Sequence, residues 1–161
     1  MIVVSDRSPI LNLALIGRLN ILPAMYEEVL VPPSVYRELT VDEADQPSLI
    51  IDSSSWLRTK IPKDQQRIRI LRERLDEGEA EEIILALETH AELLLIDERQ
   101  GRRIAASAGL RITGLIGVLV EAKTRALIDQ VRPIHDDLIM TANFWVEREL
   151  YNDVLRNLGE L

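Results

Sequence analysis

Cysteine is absent from the 161-residue chain, and histidine occurs only as His90 and His135. The first absence excludes disulfide scaffolds, thiolate zinc sites and cysteine nucleophiles, and nothing points to an oxidising compartment. The second leaves no room for a multi-histidine zinc site. Aromatic residues make up 4% of the chain, which is poor material for the base-stacking surfaces of RNA-binding sheets and single-strand-binding barrels. Any action on nucleic acid is therefore expected at the phosphate backbone. No apolar run approaches the ~18 residues of a membrane span. The most apolar window, Ile83 to Leu95, is broken by Glu88, His90 and Glu92. Met1 to Asp6 has no basic start of the kind a secretory signal carries. A soluble, cytoplasmic protein with no membrane partner is expected.

The length is that of about one domain, enough to bury roughly 70% of the unfolded surface without a disulfide or structural metal. Lys+Arg 19 against Asp+Glu 27 gives a net charge of −8, so the surface as a whole repels anions. Contact with nucleic acid must be local.

Short apolar runs alternate with helical patterns along the chain. Ile2-Val3-Val4-Ser5 reads as a buried strand that stops at Asp6. Ser8-Pro9 reads as the cap and first turn of a helix that Gly17 ends. Val29-Leu30-Val31, followed by Pro32-Pro33-Ser34 and then Val35, Glu38 and Leu39, reads as a second strand feeding a helix. The acidic stretch between Thr40 and Pro47 reads as a solvated loop. An exposed helix of mixed charge around Arg67 to Arg74 comes next. Gly78 interrupts the pattern before a strong helix former at Glu79 to Glu88. Leu93-Leu94-Leu95-Ile96 then ends at Asp97, as the first strand ended at Asp6. A helix through Ile104, a strand at Leu110 to Ile112 and a helix from Gly114 to about Arg125 complete the alternation. Such alternation predicts a three-layer α/β/α fold with a central, mainly parallel sheet. The whole of 1–161 is expected to form one domain, with 126–161 a mostly helical extension that Phe144 and Trp145 pack onto the body.

Ligands of open parallel sheets sit beyond the carboxyl ends of the strands, where Asp6 and Asp97 stand. A single aspartate there is ordinarily a turn residue or a helix cap. Two of them after the most apolar strands bring both carboxylates to one crevice if the strands are neighbours. Glu38 borders a face that must be buried. Glu81 flanks the apolar face of its helix, whereas Glu82 points more nearly away, and periodicity does not separate Glu81 from Glu79. Two carboxylates about 4 Å apart repel by roughly 4 kcal/mol at an effective dielectric near 20, so several in one crevice need cations or protons. Magnesium or manganese suits an all-oxygen donor set.

The ordered set Val4-Ser5-Asp6-Arg7-Ser8-Pro9, Val31-Pro32-Pro33-Ser34-Val35-Tyr36-Arg37-Glu38-Leu39, Asp76-Glu77-Gly78-Glu79-Ala80-Glu81, Leu95-Ile96-Asp97-Glu98-Arg99 and Ile112-Thr113-Gly114 resembles the PIN-domain nucleases. Within them it is most similar to the small prokaryotic branch related to VapC-type toxins. The resemblance runs from the N-terminus to about Arg125. It implies a magnesium- or manganese-dependent ribonuclease, the toxin of a toxin–antitoxin pair, with a small antitoxin protein and a homodimer as partners. By position, the family's metal-binding and catalytic acids fall on Asp6, Glu38, Glu81 and Asp97. Where the family has hydroxyl residues beside the first aspartate, this chain has Arg7 and Ser8 and retains only the second. Arg7 can pair with Glu38 or Asp97 in competition with a cation, or grip a substrate phosphate. The first outcome describes a PIN-like binding module that no longer cleaves. Thr113-Gly114 resembles the family's small polar residue near the metal, which makes Thr113 a candidate for an accessory role, but it reads better as an ordinary cap for the helix that follows. Arg99, Arg102 and Arg103, at helical spacing after Asp97, are placed either to meet RNA phosphates or to hold the acidic side of the fold in register. A metal-dependent phosphatase on another α/β fold is a third reading, since strand-terminal carboxylates also suit phosphomonoesters.

Overall fold

Apolar runs only three residues long form strands here because a sheet covered on both faces needs apolar side chains pointing both ways. In the computed structural model, which describes residues 1–42 and 44–161, the order is β1 (Val3–Ser5), α1 (Arg7–Leu15), α2 (Ile21–Tyr26), β2 (Val29–Val31), α3 (Pro33–Leu39), α4 (Gln46–Asp52), β3 (Leu57–Thr59), α5 (Gln65–Leu71), α6 (Glu77–Glu88), β4 (Leu93–Leu95), α7 (Arg99–Ser107), β5 (Ile112–Thr113), α8 (Leu115–Thr124), α9 (Arg132–Thr141) and α10 (Arg148–Asn157). All pairings are parallel, in the order β3-β2-β1-β4-β5.

Alternation along the strands divides the core into two layers. Val3, Val29, Val31 and Leu95 pack with Ile10 of α1, Leu22 of α2, Leu119 of α8 and Leu138 of α9. On the other face Val4, Leu94 and Ile96 pack with Ile83 and Ala86 of α6 and Ala105 of α7. Ile68 of α5 closes over Ala80 and Ile84 of α6. The result is the three-layer α/β/α arrangement. Strands β2 and β3 extend the sheet on one side of β1, and β4 and β5 on the other. The order therefore reverses between β1 and β4, and the crevice beyond their carboxyl ends is where such sheets bind ligands. Ser5 pairs with Leu95 there, and the Asp6 amide donates to the Leu95 carbonyl at 2.9 Å.

Several local features differ from the sequence reading. Asp6, not Ser8, caps α1, accepting from the Arg7 amide at 2.6 Å. Gly78 interrupts nothing: α6 starts at Glu77 under a capping box made by Asp76 and Glu79. At Gly78 an added Cβ would come within 3.2 Å of Val35 Cγ2, so the glycine lets α3 pack closely on α6. The stretch read as an acidic loop already contains the start of α4, which Asp45 caps by accepting from Ser48 at 2.7 Å. Glu43, part of that reading, lies outside the described residues. Trp145 does not pack onto the body but is 81% exposed. The strap from 142 to 147 alternates between covered and open positions, so Phe144 and Val146 turn inward and Trp145 outward.

Val131, Ile134 and Leu138 enter the same core as the sheet. The N-terminus of α9 has no side-chain cap of its own. Glu160 supplies one from a distance, accepting from the Val131 and Arg132 amides at 3.0 and 2.9 Å and from Lys123 Nζ at 2.8 Å. Burial pushes its carboxyl up, but these donors outweigh that and hold it below the ordinary glutamate value. The stabilisation is thus present above the unfolded-state value and lost as pH falls through the depressed one. Glu160→Gln is expected to cost about 1–3 kcal/mol, measured by denaturant unfolding at pH 7. The difference from wild type should shrink as the pH is lowered below the ordinary carboxyl range.

Candidate metal centre and cleft

Strand ends and helix starts position the acids. Asp6 follows β1 directly, and its carboxyl is raised above the ordinary value, chiefly by burial and further by the charge of Asp76, against hydrogen bonds that lower it. Asp97 follows β4 by two residues, because Ile96 still donates to the Thr113 carbonyl at 2.9 Å. Its two oxygens accept from the Leu115 amide at 3.0 and 3.3 Å. Asp97 therefore caps α8, whose own cap residue, Gly114, has no side chain. An added Cβ at Gly114 would lie 2.5 Å from Asp97 Oδ1 and 3.0 Å from Arg102 Nη1, so only glycine lets the carboxylate seat. Arg102 in turn donates to the Ile96 carbonyl at 2.8 Å. Burial raises the Asp97 carboxyl and the Asp6 charge adds to this, outweighing Leu115 and Arg102.

The helix acid that joins Asp6 is Glu82. It is fully buried, and no donor reaches either of its oxygens. The polar group that acts on it most strongly is the Asp6 carboxylate, itself an acceptor. Two such groups can be joined only by a proton or a cation. Burial first, then the charges of Asp6, Glu79 and Asp76, push the Glu82 carboxyl well above the ordinary value. Glu81 faces elsewhere and accepts from Ser34 Oγ at 2.7 Å, tying α6 to α3. Glu79 is held in the capping box but borders the acids; burial raises its carboxyl, and the charges of Asp76, Glu98 and Asp6 add to the effect. The expectation that Glu82 points away from the core is thus overturned. From Glu82 to Ala86 every residue of α6 is buried, so the helix has no single polar face by which periodicity could orient it.

Glu38 stands on an exposed turn of α3, with its carboxylate 3.7 Å from Arg7 Nε and both side chains half-exposed. Neither Glu38 nor Glu81 is among the charges that raise Asp6, Glu79, Glu82 or Asp97. The Arg7 guanidinium is thus engaged by Glu38. Beyond Asp6 and Asp97 opens a cleft of about 890 Å³, whose lining includes Ser8, Arg99, Arg102, Thr113 and Trp145. Thr113 does not cap α8, as Gly114 takes that position. Arg103 is exposed and does not line the cleft. Among the described residues no three acidic or histidine side chains converge closely enough to make a ready-formed metal cage. The donor-less pair of Asp6 and Glu82 nevertheless fits a hard cation. Magnesium takes one or two carboxylates and keeps several waters, and the donors here are all oxygen.

A family profile, DUF3368, described as a PIN domain, matches residues 2–160. The chain belongs to this PIN-domain family, whose members are generally nucleases. No curated protein and no solved structure matches it.

A carboxyl group with a raised value in the folded state loses stability as pH rises from its unfolded value toward its folded one. Glu82→Gln removes that loss, and its amide supplies the donor that Asp6 and Glu82 together lack. Metal-free Glu82→Gln is expected to melt higher than wild type at pH 7.5, by about 2–4 °C for each kcal/mol regained. The gain should fade toward pH 4, where the wild-type group is already protonated. Thermal unfolding in EDTA across that range measures it.

Proposed function

We propose that the protein is a magnesium- or manganese-dependent ribonuclease that acts as the toxin of a toxin–antitoxin pair. The observation that carries this reading is the buried, donor-less Glu82 carboxylate facing Asp6, at the strand-order reversal of a PIN-domain sheet. Asp6 and Glu82 hold the cation, with Asp97 beside them and Glu79 at the margin. Glu82 takes the place that the family resemblance assigned to Glu81. Glu38, paired with Arg7, and Glu81, paired with Ser34, are left out of the set. A bound divalent ion at such a site supplies an activated water and stabilises the leaving oxygen of a phosphodiester.

The chain's own residues present the substrate. Arg99 meets a phosphate at the cleft rim. Arg102 is a positioning residue: its bond to the Ile96 carbonyl fixes the backbone from which Asp97 projects. Ser8 Oγ accepts from Asn12 Nδ2 at 3.1 Å, which leaves the serine hydroxyl hydrogen free to donate to a phosphate oxygen. With a net charge of −8 and few cations at the cleft, affinity for RNA is low and only weakly salt-dependent. A small antitoxin protein and a second copy of the chain are the partners this reading implies, and the cytoplasm is its setting. No helix among the described residues is long and apolar enough to cross a membrane.

Thermal unfolding of wild type, Asp6→Asn and Arg7→Thr with and without magnesium or manganese tests the site, together with cleavage of a mixed-sequence RNA. A cation at a hundredfold excess over its Kd is expected to stabilise wild type by about 2.7 kcal/mol. Asp6→Asn should lose that response and the cleavage with it. If wild type neither responds to metal nor cleaves RNA, the nuclease reading fails. If the response appears only in Arg7→Thr, Arg7 has taken the cation's place and the chain is a binding module.

A further inference from the structure

Aromatic residues are few, yet one of them stands in the open at the cleft. Trp145 is 81% exposed and lines the same cavity as Asp6, Asp97, Arg99 and Arg102. It is not a loose side chain on a free loop. The strap that carries it is anchored on one side by Phe144, which packs on the core and whose amide donates to the Leu138 carbonyl at 3.0 Å. Asn143, at φ 52°, makes the turn into the strap, a left-handed conformation that asparagine tolerates well. On the other side α10 is fixed through the fully buried Leu155. A large flat ring is thus left open to solvent in a cleft that Asp6, Asp97, Arg99 and Arg102 also line.

Resting on the ribonuclease reading, we propose that Trp145 is a stacking platform for an unpaired base of the RNA that enters this cleft. The residues that line the cleft match the parts of a nucleic-acid strand. Asp6 and Asp97 suit a cation-bridged phosphate, Arg99 a neighbouring phosphate, and Trp145 a base. Stacking on an aromatic ring tolerates every base, because each has a π-face, but it needs that face unpaired. A duplex hides both faces of its bases and gains nothing from the ring. Acidic, cationic and aromatic residues in one cleft match the phosphate and the base of a nucleotide together, so we take the nucleotide as the occupant.

The test measures binding separately from cleavage. In the full-length Asp6→Asn protein, a labelled single-stranded oligoribonucleotide and its duplex are titrated by anisotropy while tryptophan fluorescence is followed. Trp56, half-buried and outside the cleft, serves as the internal reference. Trp145→Ala is expected to weaken single-strand binding by about fivefold to a hundredfold and leave duplex binding unchanged. Trp145→Phe should restore most of the affinity while abolishing the fluorescence quench. Because the side chain is exposed, both variants should melt with the parent protein. Equal single-strand affinity in Trp145→Ala and its parent overturns the proposal, as does equal loss for strand and duplex. So does a change of oligomeric state without a change in RNA affinity, which would give the surface to a protein contact. Cleavage by wild type is scored in parallel: if it is absent, the ribonuclease reading falls, whereas its presence with unchanged KM in Trp145→Ala removes only the stacking role.

Discussion

A buried carboxylate with no hydrogen-bond donor is the constraint around which the rest of the molecule is arranged. Taking an ionised group out of water costs several kcal/mol even after relaxation, and Glu82 has only other carboxylates for company, Asp6 foremost among them. It is driven inside by its neighbours. Ile83, Ile84, Leu85 and Ala86 are all buried, and each large apolar side chain contributes roughly 1.5–3 kcal/mol by leaving water. The helix cannot rotate to release Glu82 without exposing residues whose burial is worth more together than the acid costs. The fold thus holds negative charge in a place that only a proton or cation makes comfortable.

Helix N-termini keep the surrounding acids in order. Asp6 caps α1, Asp76 caps α6, Glu98 caps α7 and Asp97 caps α8. The positive end of each helix favours the carboxylate by about 0.3–1 kcal/mol when exposed, and more when partly buried. These bonds use some of the lone pairs and fix the direction of the others, so the acids are oriented before any ligand arrives. Gly114 makes the same point by subtraction, since any larger residue would occupy the space in which Asp97 seats.

Asp6 and Asp97 were legible in the amino-acid sequence because strand ends are marked sharply: an apolar run stops at an acid, and a parallel sheet sends that acid to one rim. The layered fold followed from the same punctuation. Glu82 was not legible, because the five residues from Glu82 to Ala86 are buried in succession and give periodicity no single face to orient by. Glu38 looked equivalent to the other acids in sequence, but its turn of α3 faces Arg7 and solvent. Arg99, Arg102 and Arg103 read as one basic cluster, yet Arg102 spends its guanidinium on the Ile96 carbonyl and only Arg99 remains at the open rim. The short elements α2, α4 and β3 escaped because they span too few residues for a period to emerge. Trp145 was expected to pack inward, and only the alternation of the strap showed which of the two adjacent aromatic residues does so.

The sheet's central strand is made first, yet its partner β4 is made late. Val3 pairs with Leu93 and Ser5 with Leu95, and contacts so distant along the chain form slowly and close the largest loops. During synthesis Asp6 leaves the ribosome long before α6 brings Glu82, and Asp97 cannot be seated until Leu115 has followed it. A nascent or truncated chain therefore carries the acids but not their assembly. The crevice beyond β1 is completed only when β4 and α8 have closed on it, after most of the chain has been made.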